Sequence, residues 1–321
     1  MRDSYQAYLA DFGEEVTKGH GICWQSIDSG HTGTYCAAED AQISVWDGGF
    51  NRGIVVFDVV PMWKGWIRKL DAHIDRFYSN LHACRMDLET SKEKLKEQVL
   101  ETARRSDFEN AMIWTVCTWG PDPILVKGSK KPGGPDHKVG LQIWIVPYRW
   151  NFPKECIGEG AKAIIPKIRA IPHQCIDPRV KHFNRLHFFL AQLEVIDADV
   201  DGFIMLNLDG YISESLGSNV WLVKKGKLLT PPECLQGITR DCVFDLAREI
   251  NIDATIALLT PWDLYTADEV FFSTSAGGIF PIIEVDSRAI GDGKPGPITK
   301  RLIDGYWKMH VNPKYCVQVY K

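Results

Sequence analysis

Two side chains in this sequence, a lysine in "RVKHFNRLHFFLAQLE" and a glutamate in "DGYISESLGSN", have surroundings that call for a chemical explanation. Lys181 stands just before Phe183, Leu186, Phe189, Leu190 and Leu193, whose spacing predicts a helix over 183–194 with one buried face. A lysine is disfavoured at a helix N-terminus, where the dipole is positive. Burial and that dipole together would lower its pKa, as an amine nucleophile requires. The plain alternative is a solvated surface charge. Glu214 follows the hairpin signal Asp209-Gly210 and lies in an apolar-flanked strand running towards "NVWLV". A buried carboxylate is costly without a cationic or proton-donating partner, so a structural ion pair or an edge position is the alternative here.

Two further segments could cradle an anion. In "LQGITRDCVFDLAREI", Gly237 precedes a helix that starts at Ile238 and Thr239 and buries Cys242, Val243, Leu246 and Ile250. Backbone N–H groups after a glycine at a helix start suit a phosphate, although a plain loop-to-helix junction reads the same way. In "FFSTSAGGIFPI", Thr274 and Ser275 follow an apolar strand and could donate to a phosphate or carboxylate, as could any polar turn. An amine, a carboxylate and two phosphate cradles together are what pyridoxal phosphate requires. The lysine forms the Schiff base, the carboxylate keeps the pyridine nitrogen protonated, and the N–H and hydroxyl groups hold the phosphate. The set is not unique to that cofactor.

These side chains need a framework, and 321 residues suffice for two domains or one large α/β unit. A net charge of −4 predicts no affinity for nucleic acid or anionic membrane, which leaves small molecules as partners. Nine scattered cysteines without metal-ligand spacing, no apolar run of signal-peptide length and none of spanning length predict a soluble, cytoplasmic protein. The first forty residues read as an irregular arm, then "AQISVWDGG" and "GWIRKL" as strands. "DAHIDRFYSNLHACRM" reads as a helix capped by Asp71, with Ile74, Phe77, Leu81 and Cys84 on one stripe. "TSKEKLKEQVLETARRS" reads as another, with Thr90 and Glu93 as a capping box and Leu95, Val99 and Ala103 buried. The strands "AMIWTVCTW" and "VGLQIWIVPY" flank a long loop over 120–140 of the kind that covers binding sites. "RWNFPKECIGEG" reads as a linker. Short strands, the helices at 183 and 238 and a closing helix in "PGPITKRLIDGYWKMH" follow it. Strands and helices without regular βαβ alternation predict an α+β fold.

The segments "DGYISESLGSN", "GKLLTPP", "GITRDCVFDLA", "ADEVFFSTSAGGIFPI" and "GPITKRLIDGYW", in this order and spacing, resemble the fold-type IV, class-IV aminotransferases. That family includes branched-chain and D-amino acid aminotransferases, (R)-selective amine transaminases and aminodeoxychorismate lyase. The resemblance covers roughly residues 41 to 310. "IDPRVKHFN", "VPYRW" and "TSAGGIFPI" look most like the (R)-amine transaminase branch, while "KHFNRL" also looks like the lyase branch. The resemblance implies a two-domain fold, a smaller N-terminal α/β domain over 1–150 and a larger cofactor-anchoring domain over 151–321, in a homodimer. It implies transfer of an amino group from an amine or amino acid to a 2-oxo acid such as pyruvate, or on the lyase branch β-elimination by the same lysine. Lys181 would be the Schiff-base lysine and proton carrier, Glu214 the partner of the pyridine nitrogen, and Arg76 in "HIDRFY" the phosphate-clamping arginine. Ile238, Thr239, Thr274 and Ser275 would complete the phosphate site, with Leu235 against the ring. The substrate side departs from the pattern. Arg52-Gly53-Ile54 replaces a usual His-Ser-Asp, Trp119 an arginine, and Leu186 a tyrosine. Phe57, Trp119 and Leu186 would be apolar walls, and Arg52 and Lys127 are alternative carboxylate anchors or simply solvated.

Overall fold

The computed structural model describes residues 20–121, 134 and 136–320, so Lys127 and most of the 120–140 loop lie outside the described residues. The chain forms two compact units, residues 20–148 with 180–184 and 310–320, and residues 149–179 with 185–309.

The first unit contains strands β1 (Ile22–Ser26), β2 (Thr34–Ala37), β3 (Val55–Trp63), β4 (Trp66–Arg68), β5 (Ala111–Thr118) and β6 (Gly140–Pro147). Its helices are α1 (Gly48–Arg52), α2 (Leu70–Ala83) and α3 (Lys92–Ser106). The sheet is antiparallel throughout, in the order Cys316–Gln318, β4, β3, β5, β6, β1, β2. β3 is buried at every position. α2 and α3 cover the sheet with Ile74, Phe77, Leu81, Leu95, Val99 and Ala103, the stripes that helical periodicity predicts.

Local details depart from the sequence reading where side chains have other partners. α2 begins after Lys69, whose backbone is left-handed, and Asp71 lies in its first turn paired with Lys96 instead of capping. α3 is capped by Ser91, whose Oγ accepts from the Lys94 N–H at 3.2 Å. Thr90 is buried, and its hydroxyl donates to the Ser29 carbonyl, so it is not available as a cap. "AQISVWDGG" is not a strand: Asp47 accepts from the Gly49 N–H and starts α1. Part of the expected irregular arm is β1 and β2 at the sheet edge.

The second unit contains β7 (Ala161–Ile164), β8 (Gly202–Phe203), β9 (Glu214–Ser215), β10 (Ser218–Lys224) and β11 (Lys227–Thr230). It continues with β12 (Ala254–Ile256), β13 (Glu269–Thr274), β14 (Gly278–Val285) and β15 (Arg288–Ala289). Its helices are α4 (Cys156–Glu159), α5 (Leu186–Asp197), α6 (Ile238–Glu249), α7 (Pro261–Tyr265) and α8 (Pro297–Met309). The sheet order is β12, β11, β10, β13, β14, β7, β8, with β9 on β10 and β15 on β14. Pairings are antiparallel except β11–β12, β14–β7 and β7–β8, a mixed sheet with helices beside it, so the fold class is α+β.

α5 corrects the expected helix over 183–194. Residues 182–184 are held extended by a bridge between His182 and Val56 and by the Asn184 side chain donating to the Gly53 carbonyl at 2.9 Å. The helix therefore starts at Leu186. It buries Phe188, Ala191 and Val195 against Phe203 and Met205. The expected core stripe is exposed instead: Leu186 is 69% exposed and Phe189 58%, and Phe183, Leu190, Leu193 and Ile196 are exposed with them. A helix apolar around most of its girth gives no periodic clue to which side turns inward.

The cap assignment is testable. Ser91→Ala should lower the unfolding free energy by about 1 kcal/mol, measured by urea denaturation.

Candidate active site

In the first unit the chemistry gathers on β3. The chain from Val180 to Asn184 runs beside it, and the Phe57 N–H donates to the Lys181 carbonyl at 3.0 Å. The Lys181 N–H donates to Asn80 Oδ1 on α2. Lys181 is thus held by its main chain from both sides, and not by a helix start. Its Nζ lies 4.6 Å from the centroid of the Phe57 ring. Phe57 in turn packs on Phe183 at 4.5 Å and on Trp114 at 5.4 Å. Lys181 is a half-buried residue whose amine lies over the face of Phe57, a cation–π arrangement.

The residue after Phe57 is an acid. Asp58 is 1% exposed, and both of its oxygens accept from one guanidinium, Oδ2 from Arg76 Nε and Oδ1 from Arg76 Nη2, each at 2.8 Å. His73 Nδ1 lies 2.7 Å from Oδ1, and the Val59 N–H donates to the same oxygen at 2.8 Å. Burial alone would raise the Asp58 carboxyl, but Arg76 and His73 outweigh it and hold the group well below the usual carboxylate range. Burial pushes the His73 imidazole down to about 4, against the opposing pull of Asp58. Arg76, undistinguished by helical periodicity, is therefore a nearly buried guanidinium with a fixed orientation.

The other first-unit positions are dispersed. Arg52 is exposed at the end of α1. Trp119 is buried and stacked on His137 at 4.5 Å, and its indole N–H has no hydrogen-bond partner among the described residues.

In the second unit the register of the strands assembles the rest. Glu214 on β9 pairs with Asn219 on β10, which pairs with Ser273 on β13, one rung across the sheet. Glu214 Oε2 accepts from the Leu235 N–H at 3.1 Å, and the Asn219 amide donates to the Leu235 carbonyl at 2.8 Å. Leu235, Glu214 and the approach to α6 are thereby one connected piece. Gly237 follows, and a Cβ there would come within 2.1 Å of Asn219 Oδ1, so the position has room only for glycine. It precedes the N-terminus of α6 without any side-chain cap, and Ile238 and Thr239 of the first turn are buried. Thr274 ends β13, one residue beyond that rung, its Oγ1 accepting from the Ala276 N–H at 3.2 Å, with Ser275 in the turn beyond. Helix N-terminus, hydroxyls and an anchored carboxylate are the donor and acceptor set that a phosphorylated pyridine calls for, so the residues fit pyridoxal phosphate.

Leu186 lies in the exposed stripe of α5, and the described residues leave it 69% exposed. Its neighbour Arg185 carries information that the sequence reading does not use. Burial lowers the Arg185 pKa while the nearby Glu214 opposes the shift, so a guanidinium stands in the field of that carboxylate. Asp58 is also open to detection, as a single acid inside "VVFDVVPMW"; Asn80 and Asn219 carry no such signal.

The chain matches known proteins over most of its length. Residues 55–285 match the family described as amino-transferase class IV. A Methanocaldococcus jannaschii protein, provisionally described as a branched-chain-amino-acid aminotransferase, is 34% identical over 90% of this chain and 97% of its own. The crystal structure of the Escherichia coli branched-chain amino acid aminotransferase superposes with a TM-score of 0.84 at 28% identity, covering 94% of this chain and all of that one. The T.th. branched-chain amino acid aminotransferase complexed with N-(5'-phosphopyridoxyl)-L-glutamate gives 0.81 at 25% identity, covering 94% and 99%. The similarity thus includes branched-chain enzymes, where the sequence motifs resemble the (R)-amine branch most.

The buried Asp58–His73–Arg76 group predicts a pH dependence of stability. Unfolded His73 takes up a proton near its ordinary value of 6.5, whereas folded His73 resists down to about 4. Its contribution is complete above about pH 6.5 and falls away as the pH drops towards 4. Below the ordinary carboxylate range the loss of ionised Asp58 adds to the decline. Thermal melting followed from pH 7 to 4 should show this slope, and His73→Asn should flatten its upper part.

Proposed function

From the premise that the chain belongs to the class IV aminotransferases, we propose that it exchanges amino groups between branched-chain amino acids and 2-oxo acids. The observation that carries this choice is the setting of Lys181, whose amine lies against the Phe57–Phe183–Trp114 aromatic cluster. Such surroundings accept an aliphatic side chain and offer a carboxylate side chain no partner. The branched-chain relatives and structural neighbours support the same reading.

The enzyme is a pyridoxal-phosphate-dependent aminotransferase. Bound pyridoxal phosphate supplies the electron sink that lets a proton leave the substrate carbon. Lys181 would hold the cofactor covalently, and its Nζ would carry the proton taken from the substrate carbon. Glu214, its carboxylate kept in place by the Leu235 N–H, would pair with the ring nitrogen. The Ile238 and Thr239 N–H groups, the Thr239, Thr274 and Ser275 hydroxyls and Arg76 would hold the phosphate, and Leu235 would pack on the ring. Phe57 and Trp119 wall the substrate side. Arg52 and Lys127 are the cations assigned to the substrate carboxylate. The two half-reactions share this machinery, the donor leaving as an oxo acid before the acceptor enters.

We further assign the exposed stripe of α5, Leu186, Phe189, Leu190, Leu193 and Ile196, to a second copy of the chain in a homodimer. An apolar face of this size is not kept in water by choice. Leu186 would acquire its wall there. The nine free thiols fit the reducing cytoplasm, and no helix among the described residues is long and apolar enough to cross a membrane.

Purified protein should show the visible absorption of lysine-bound pyridoxal phosphate, and Lys181→Ala should lose it. L-Leucine should bleach that band with release of its oxo acid. Bleaching by (R)-1-phenylethylamine or D-alanine but not L-leucine would replace the branched-chain reading with the (R)-amine or D-amino acid one, and pyruvate formed from aminodeoxychorismate would favour the lyase. Leu193→Asp should shift sedimentation from dimer to monomer; an unchanged dimer would remove α5 from the interface.

A further inference from the structure

We propose that Asp58, backed by His73, is the positioning residue for Arg76, fixing the plane of the guanidinium that takes the cofactor phosphate. This rests on the reading of Arg76 as a phosphate ligand and concerns what makes that ligand effective.

β3 is buried along its whole length, and Asp58 is its one charged residue. A carboxylate in such a strand needs partners, and α2 supplies them from one face: His73 and Arg76 are three residues apart, adjacent on the helix surface. The pairing with Arg76 runs through Nε and Nη2 to the two carboxylate oxygens, a two-point contact that fixes the plane of the guanidinium and not merely its distance. His73 and the Val59 N–H also meet Oδ1, which brings the contacts to the carboxylate to four and keeps it from swinging. His73 Nε2, wholly buried, has no hydrogen-bond partner among the described residues, which leaves the bond to Asp58 as the ring's polar tie.

The arrangement has an electrostatic consequence. Asp58 cancels most of the Arg76 charge, and a neutral His73 adds none, so Arg76 attracts a phosphate less by net charge than by donors already in place. Lysine at the same position would keep the charge and lose the fork. A purely architectural role, stapling α2 to β3, would make no distinction between a phosphorylated ligand and its unphosphorylated analogue.

The test uses the full chain freed of cofactor and titrated separately with pyridoxal phosphate and pyridoxal, with melting temperature recorded for each variant. Asp58→Asn is expected to weaken pyridoxal phosphate binding by about tenfold or more, the loss of one charge-assisted contact, and pyridoxal binding by less than about twofold. Arg76→Lys, which retains the charge, is expected to lose a similar factor for the phosphorylated ligand alone. Equal weakening of both ligands by Asp58→Asn, or none, while Arg76→Gln selectively weakens pyridoxal phosphate, would overturn the positioning role and leave the Arg76 reading standing. No selective loss in Arg76→Gln would overturn the reading of Arg76 and this inference with it. Should Asp58→Asn fail to fold, Arg76→Lys decides: undiminished pyridoxal phosphate affinity would overturn the need for a positioned fork.

Discussion

Lys181 is fixed by β3. Its carbonyl accepts from Phe57, its N–H donates to Asn80, and the next residue bridges Val56. Main-chain hydrogen bonds to a fully buried strand are about the stiffest attachment a loop residue can have, because neither partner can move without unpairing the sheet. The same strand carries Phe57, against which the amine rests, and Asp58, which holds Arg76. One buried strand thus sets the amine, its apolar surroundings and the guanidinium. The antiparallel pairing of β3 with β5 along eight residues keeps that strand in register.

The second unit solves its part with strand register too. Glu214, Asn219 and Ser273 share a rung, and Asn219 reaches Leu235 through its amide and crowds Gly237 through its oxygen. Segments far apart in the chain become neighbours because their strands are. The glycine before α6 has a steric reason: the helix starts so close to the Asn219 side chain that a methyl group does not fit.

This explains which features can be read from the sequence. The α+β fold, the stripes of α2 and α3 and the starts of α6 and α8 follow from local periodicity and turn chemistry, so they are legible. Glu214 opens β9, Thr274 ends β13 and Ser275 lies in the turn beyond, positions marked in the sequence by a hairpin signal and by the end of an apolar run. The helix-dipole argument for Lys181 fails, since α5 begins only at Leu186, and it is the resemblance of the surrounding motifs that singles this lysine out. Arg76, Asn80 and Asn219 depend on partners that are distant in sequence, and no window of residues contains that information. The buried side of α5 is not legible because Leu186, Phe189, Leu190 and Leu193 are as apolar as Phe188 and Val195, and hydrophobicity alone does not say which side meets the sheet.

A chain of net charge −4 has to hold an anionic phosphate without a general positive field. Its charged groups resolve this locally. Arg76 is neutralised by Asp58 before any ligand arrives, and Arg185 and Glu214 lie in each other's field. A paired charge costs less to bury than a lone one, so both can be kept away from water while still offering directed donors and acceptors. The N-terminus of α6 adds the partial positive charge of its backbone dipoles, with no side-chain cap on it. On the proposed assignment of the phosphate site, recognition of the cofactor depends on where donors point more than on how much charge surrounds them. That places the demand on the rigid elements, β3 and the Glu214–Asn219–Ser273 rung, and not on the overall electrostatics of the protein.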